Sequence, residues 1–175
     1  MTVRIETRRL LLRPFTPADA AAVEGYVGRW EIARMTTRIA HPYPAGGAAT
    51  WIAGHAAARQ HGSEHTFAVT LQGEDKAIGA ISLRHTEPGN WELGYWLAPG
   101  HWGQGLATEA AQAMVVYGFE KLGVIGHKGS SSMKVFSPMT CSKPIIKSGE
   151  SYPSAVLASR PASTGGSCRV AEARC

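Results

Sequence analysis

One stretch of the sequence decides the fold: Trp91–Ala110, which reads WELGYWLAPGHWGQGLATEA. Its first seven residues predict a strand, which Pro99 and Gly100 end, and a helix is predicted from about Gly105 to Leu122. A helix N-terminus presents about four free backbone N–H groups and a partial positive charge. Because the glycines before the helix let the backbone approach an anion closely, the stretch predicts a phosphate or pyrophosphate site.

This anion site has a plain alternative, a glycine-rich turn without a ligand. A lone Gly-x-Gly would favour the plain turn, but the preceding strand and the helix opening Gly-x-Gly-x-Ala-Thr-Glu-Ala favour the anion site. No Lys-Ser or Lys-Thr pair follows the glycines, which excludes a nucleotide-hydrolysing P-loop. The spacing also differs from the dinucleotide-binding pattern GxGxxG.

The rest of the first 123 residues predicts an α+β fold. Thr16 is typical of a helix N-cap, with Pro17 at the first helical position, and a turn-rich loop over 34–47 separates two helices. The order strand, helix, helix, three strands, helix predicts a mixed, mostly antiparallel sheet flanked by helices. The predicted strands are 8–14, 66–71, 77–83 and 91–97, and the earlier helices are 17–28 and 48–60.

Charge and composition divide the chain near residue 123. The net charge is +5, yet residues 1–122 hold nine Arg and two Lys against eleven acidic residues, so the excess lies in the tail. The first 122 residues are therefore not a nucleic-acid-binding surface, and binding through the basic tail is only a remote alternative. The three Cys lack metal-ligand and CxxC spacing, so we expect no metal.

The chain also lacks the sequence features of membrane and secreted proteins. No apolar stretch approaches the roughly 20 residues of a membrane span, and the N-terminus lacks the apolar core of a signal peptide. A cytoplasmic protein is expected.

Several segments match one known pattern together: ETRRLLLRP (6–14) with TPAD (16–19), ELGYWL (92–97), WGQGLATEA (102–110) and FEKLG (119–123). In combination they resemble the GNAT acetyltransferases, most closely the RimJ/RimL-like branch that modifies protein N-termini and small amines, over about residues 3–123. The resemblance implies an N-acetyltransferase that moves an acetyl group from acetyl-CoA to a primary amine by direct attack. Either a monomer or a homodimer is expected.

The resemblance also places the cofactor. Acetyl-CoA would lie in a V-shaped gap where the strand ending near Leu97 splays from its neighbour, with a backbone N–H near Leu97 as the oxyanion donor. One strand edge would pair with the pantetheine arm, and the glycine loop would cradle the pyrophosphate. The implied cofactor-binding residues are Trp96, Leu97, Ala98, Trp102, Gly103, Gln104, Gly105, Leu106, Ala107 and Thr108.

Catalytic and acceptor-binding candidates are fewer. Glu92 is the candidate general base, with a strand-edge carboxylate in a surface ion pair as the alternative. Tyr117 is a weaker candidate general acid, because a core tyrosine is the favoured interpretation. His41 and Tyr43 lie where the family shapes its acceptor pocket, and His101 is either a phosphate ligand or a solvated turn residue.

The acceptor amine is suggested by acid–base chemistry. An α-amine has a pKa near 7.7–8 and a lysine amine near 10.4. A modest base therefore favours a protein N-terminal α-amine or a small amino compound.

The resemblance stops after Gly123. The family normally adds a strand, an Asn-x-x-Ser helix and a Gly-Phe strand, yet no Asn occurs after Asn90. We therefore predict a core over 1–123 and an atypical Ser/Lys-rich tail over 124–175, poorly ordered or altered by a reading-frame change. Short strands are predicted there only at 124–125, 134–136 and 155–157.

Two alternatives follow for the tail and for function. A diverged closing segment that still folds onto the sheet is the alternative to an altered tail. The alternative function is a catalytically impaired CoA-binding or interaction protein that lacks the closing strands.

Overall fold

The computed structural model describes residues 3–36, 38–87, 90–123, 132–136 and 145–147. The described strands form one seven-stranded sheet in chain order, with every neighbouring pair antiparallel except the fifth and sixth strands, which are parallel. This confirms the predicted mixed, mostly antiparallel α+β sheet. The strands are β1 (Ile5–Glu6), β2 (Leu10–Arg13), β3 (Glu64–Leu71), β4 (Gly79–Glu87), β5 (Asn90–Leu97), β6 (Ser132–Phe136) and β7 (Ile145–Lys147). The helices are α1 (Ala20–Val27), α2 (Trp30–Ala33), α3 (Gly47–Gln60) and α4 (Leu106–Lys121).

The first helix starts where its cap residues predict. The Thr16 backbone N–H and hydroxyl both donate to Asp19 Oδ2, at 2.7 and 3.0 Å. The chain forms one 3-10 turn over Pro17–Asp19 before α1 begins. The sequence did not predict α2 or the two-residue strand β1, because both are too short to carry a periodic pattern.

The sheet has an apolar cluster on each face. Helix α4 covers one face, packing on a cluster that includes Leu10, Phe67 and Met114, while α1 and α3 cover the other with Val23 and Ile52. Helical spacing in the sequence predicts an apolar stripe on α4 made of Ala107, Ala111, Met114, Val115, Gly118 and Leu122. The observed stripe differs from it. Met114, Val115 and Gly118 are buried as predicted, Ala107, Ala111 and Leu122 are only partly buried, and Leu106, Ala110 and Tyr117 are buried in addition.

The two edges of β5 have different partners. On one side it pairs with β4 along its whole length, from Asn90 to Leu97. On the other side, in the described part of the chain, it pairs with β6 from Asn90 to Gly94 only. Helix α4 is the crossover that the parallel β5–β6 pairing requires.

The region after Gly123 therefore contributes strands to the sheet. The predicted strand at 134–136 is confirmed within β6, and β7 adds another that was not predicted. The predicted strands at 124–125 and 155–157, and most of the predicted poorly ordered tail, lie outside the described residues. The division into a core and a tail at residue 123 stays a prediction.

Among the described residues, no helix combines the length and apolar character needed to cross a membrane.

Candidate active site

The glycine loop between β5 and α4 has the geometry of an anion cradle. Gly103 and Gly105 both have φ of 71°, the left-handed region that glycine adopts without strain, and Gly105 is the N-cap of α4. Among the described residues, no acceptor bonds the backbone N–H groups of 103–108. These donors, together with the positive end of the helix dipole, suit an anionic group.

The end of β5 leads directly into this loop. The Ala98 N–H donates to Ile78 O at 2.8 Å, so the alternation of an antiparallel ladder points the Leu97 N–H away from β4. The Leu97 carbonyl accepts a 2.7 Å hydrogen bond from the Trp102 indole N–H. The loop is thereby held against the strand, and the Leu97 N–H lies on the edge beyond the last described β5–β6 pair.

Two neighbouring cavities lie beside this edge. The larger, about 420 Å³, lies between the sheet, α1, α3 and the loop after α2, and the smaller, about 50 Å³, lies toward the glycine loop. Trp102 and Ala107 line only the smaller cavity. Both cavities are lined by Met35, Thr36, Tyr95 and Trp96, so they lie next to each other and share these four residues as walls.

A row of charged residues crosses the wall of the larger cavity. Glu64 is the register partner of Arg84, and Arg84 is the partner of Glu92, so the three side chains share one face of adjacent strands. Arg84 Nη2 lies 2.6 Å from Glu92 Oε2. Among the residues whose side chains the structure describes, none makes a hydrogen bond to Glu92 Oε1. The ion pair of the alternative interpretation is therefore present, and the carboxylate also lines the cavity, while the general-base role stays a prediction.

Comparison with known families decides the assignment. The profile described as Acetyltransferase (GNAT) domain matches residues 9–132, about seven-tenths of the chain. The chain belongs to the GNAT acetyltransferase family. This confirms the predicted family, fold and acyltransferase class.

Two similar acetyltransferases align over shorter stretches. An uncharacterized N-acetyltransferase of Bacillus licheniformis, p20, is 36% identical over 63 residues, 35% of each chain. The ribosomal-protein-serine acetyltransferase of Escherichia coli is 48% identical over 44 residues, 24% of this chain and 25% of that one. The chain thus spans about a third and a quarter of the length of these relatives.

A solved structure supports the fold. RimL, a ribosomal α-N-protein acetyltransferase in complex with coenzyme A, matches with a TM-score of 0.62 at 18% identity. The match covers 76% of this chain and 73% of RimL.

The residues of this GNAT chain fit the diphosphate and pantetheine of CoA. Unbonded N–H groups in the loop provide the donors a diphosphate needs, and left-handed Gly103 and Gly105 leave the backbone accessible. Of the ten predicted cofactor residues, seven lie in this loop and the first turn of α4, and Trp96, Leu97 and Ala98 lie at the end of β5. No group of three or more His, Cys, Asp or Glu in the described part of the chain could hold a metal ion.

Tyr117 lies on the opposite face of the sheet from the larger cavity. Its hydroxyl is 3.1 Å from His65 Nδ1, and its ring packs edge-on against Phe67. Both partners alternate along β3 with Thr66, which faces the cavity. Burial raises the pKa of Tyr117. The favoured interpretation, a core tyrosine, agrees with this position, and the general-acid role stays a prediction without geometric support.

The two predicted acceptor residues have different surroundings. Tyr43 lines the larger cavity, whereas His41 lines neither cavity and packs against the exposed ring of Trp30, with ring centroids 5.2 Å apart. His101 lines the smaller cavity, beside the glycine loop.

Sequence reasoning missed two groups of this site. His55, on α3, lines the larger cavity, and neither of its buried ring nitrogens has a hydrogen-bond partner among the described residues. The helical spacing of His55 with Trp51 and Ile52 predicts that its side chain is buried, but it does not predict that the side chain lines a cavity. The second group is the ion pair of Arg9 and Glu109, which joins residues too far apart in sequence for any local pattern to reveal.

Proposed function

We propose that this chain transfers the acetyl group of acetyl-CoA to a primary amine by direct attack. The acceptor is a protein N-terminal α-amine or a small amino compound. One observation carries the proposal: Tyr95 and Trp96 line both cavities, and so lie between the anion cradle and the charged row. A donor held by the cradle and an amine in the larger cavity would meet at this point. A cytoplasmic location and the monomeric or dimeric state stay predictions.

Binding of the donor falls to the loop and the strand edge. The backbone of 102–108 would hold the diphosphate, and the edge from Trp96 to Ala98 would pair with the pantetheine arm. RimL, named above, was solved with coenzyme A, which agrees with this use of the fold. When bound, acetyl-CoA supplies the thioester that the amine attacks.

The remaining roles belong to residues of this chain. The Leu97 N–H points to the edge beyond the last described β5–β6 pair and would donate to the carbonyl oxygen as negative charge develops on it. Glu92 Oε1 would accept, directly or through water, the proton that the acceptor ammonium loses to become the attacking amine. As the new C–N bond forms, the thioester C–S bond would break and CoA would leave as its thiol. The cavity wall carries two carboxylates, Glu64 and Glu92, and two guanidinium groups, Arg38 and Arg84, so a cationic ammonium would be held by a carboxylate oxygen and not by a net negative charge.

The larger cavity also suits an amine attached to a chain. At about 420 Å³ it has room for more than a bare ammonium, and its walls include Val23, Val27 and Trp51 beside the charged row. We therefore propose that the first residue of a peptide enters the cavity, with its α-amine toward Glu92.

Thiol release from acetyl-CoA tests this function. Three kinds of acceptor are compared: short lysine-containing peptides with a free α-amine, the same peptides with the α-amine acetylated so that only the lysine amine is free, and small amines. Release with the free α-amine and none with the blocked peptides is the expected result. Binding of CoA by calorimetry without thiol release for any acceptor would refute catalysis and support the CoA-binding alternative.

A further inference from the structure

Four residues join the N-terminal strands to the anion cradle: Thr7, Arg9, Gln104 and Glu109, here called the loop clamp. The Thr7 hydroxyl and the Arg9 backbone N–H donate to Glu109 Oε1 at 2.7 and 2.8 Å. Arg9 Nε donates to Glu109 Oε2 at 2.7 Å, and Arg9 Nη1 donates to the Gln104 carbonyl at 2.9 Å. One guanidinium thus makes hydrogen bonds to both the glycine loop and the first turn of α4.

The loop clamp also neutralises a negative charge next to the anion site. Glu109 lies in the first turn of α4, beside the N–H groups that face the anion site, and a bare carboxylate there would repel an anion. Burial raises the pKa of Glu109, but hydrogen bonds from Thr7 and Arg9 outweigh it and hold the pKa below its usual value. Glu109 is therefore ionised at neutral pH, and Arg9 is the cation that neutralises it.

The remaining donor group of Arg9 lies close to the loop. A Cβ built on Gly105 would be 3.7 Å from Arg9 Nη2, and the arginine side chain is 36% exposed. The cation is thus beside the N-cap of α4 and is reached by solvent, so its charge acts on the mouth of the cradle as well as on Glu109.

We propose that Arg9 is a positioning residue for the diphosphate of CoA. It holds Gln104 and Glu109 so that the loop N–H groups converge, and it cancels the carboxylate charge that would otherwise repel the diphosphate. This inference rests on the proposed use of acetyl-CoA. A purely structural ion pair, the alternative, would affect stability without distinguishing donors that have a diphosphate from donors that lack one.

The test compares Arg9→Gln with Arg8→Gln, which removes the same charge from a neighbouring exposed residue. We measure the Kd for CoA by calorimetry, and kcat/KM with acetyl-CoA and with S-acetylpantetheine, which has no diphosphate. The expected result for Arg9→Gln is CoA binding at least about tenfold weaker, the order expected for a lost charge-assisted contact. The rate with S-acetylpantetheine stays unchanged, and Arg8→Gln behaves as wild type.

Two further variants keep the test decisive. Glu109→Gln in the Arg9→Gln background removes the unpaired carboxylate and is expected to recover part of the CoA affinity. If Arg9→Gln does not fold, Arg9→Lys is used instead. Lysine keeps the positive charge but cannot bond Glu109 and Gln104 at once as arginine does, so Arg9→Lys should weaken CoA binding by a smaller factor.

Each outcome bears on one claim. Wild-type affinity for CoA in both the Gln and Lys variants, or an equal loss with both donors, overturns the role of Arg9 and leaves the proposed function standing. Wild-type protein that binds no CoA overturns the proposed function and, with it, this inference.

Discussion

Glu92 Oε2 and Arg84 Nη2 lie 2.6 Å apart across strands β4 and β5, with the two side chains 20% and 31% exposed. The pair forms part of the wall of the larger cavity. Arg84 bonds one carboxylate oxygen of Glu92, and no residue with a described side chain bonds the other oxygen, Oε1. A strand-edge ion pair and a proton acceptor are therefore compatible at this residue.

Glu92→Gln is expected to lower kcat by about 10²-fold, the scale of general-base catalysis, with little change in the Kd for CoA. The deficit should shrink as the pH rises toward 9, because more of the acceptor amine is then already neutral. Initial rates from pH 6.5 to 9 measure this. Glu64→Gln, a matched change two strands away in the same charged row, should retain most of kcat, and equal losses in the two variants would contradict the role of Glu92.

Gly105→Glu is expected to abolish measurable CoA binding. The substitution forces a side chain into a left-handed backbone, at a cost of about 1 kcal/mol, and it places a carboxylate at the anion cradle. Gly62→Glu is the control, because Gly62 also has positive φ, 67°, but ends α3 away from the loop. Calorimetry with CoA should separate the two variants, and similar affinities would refute the anion site.

His55 should make the protein sensitive to acid. Burial, with a smaller contribution from Arg59, lowers the pKa of His55 to about 4. Because the unfolded chain binds the proton first, this contribution to stability is complete above the ordinary pKa near 6.5 and is lost as the pH falls toward 4.

His55→Leu is therefore expected to flatten the fall in Tm between pH 7 and 4.5 by about 3 °C. Some slope should persist, since burial, with Arg59 nearby, also lowers the pKa of His65. Thermal unfolding across this range measures the slope. The same change at exposed His61 should leave it unaltered, and identical slopes for wild type and His55→Leu would contradict the prediction.

Asp19→Asn is expected to destabilise the fold by about 2–4 kcal/mol. Arg13 and Asp19 pair at 2.8 Å with both side chains 6% exposed, so removal of one charge leaves the other buried with weaker compensation. Urea unfolding at pH 7 measures the loss. Asp75 is the other carboxylate near Arg13, and the Asp75 side chain is 92% exposed. Asp75→Asn should therefore lower the free energy of unfolding much less than Asp19→Asn.

Acid should weaken the same pair. Burial raises the pKa of Asp19, but the hydrogen bond from Arg13 and those from Thr16 outweigh it and lower the pKa overall. The stabilisation is therefore present above the ordinary carboxyl pKa and is lost as the pH falls through the lowered folded-state pKa. Asp19→Asn should lack this part of the acid dependence.

The sequence by itself determined the features that depend on neighbouring residues. The glycine loop was found because positive φ and free helix N–H groups are local requirements, and Thr16 and Asp19 marked the helix start for the same reason. Strand and helix periodicity predicted the sheet and the main helices within a few residues. The family resemblance then placed acetyl-CoA on this frame.

Only the tertiary structure decided which distant residues share a site. The pairing of Arg9 with Glu109 joins residues 100 apart, which no local pattern reports. The face occupied by Tyr117 depended on how α4 packs on β3, and side-chain periodicity alone could not choose between core and cavity. The pairing of β5 with β6 was likewise decided by the tertiary structure. Backbone hydrogen bonds between distant strands depend little on which side chains the strands carry, so the sequence does not specify the partner or the register.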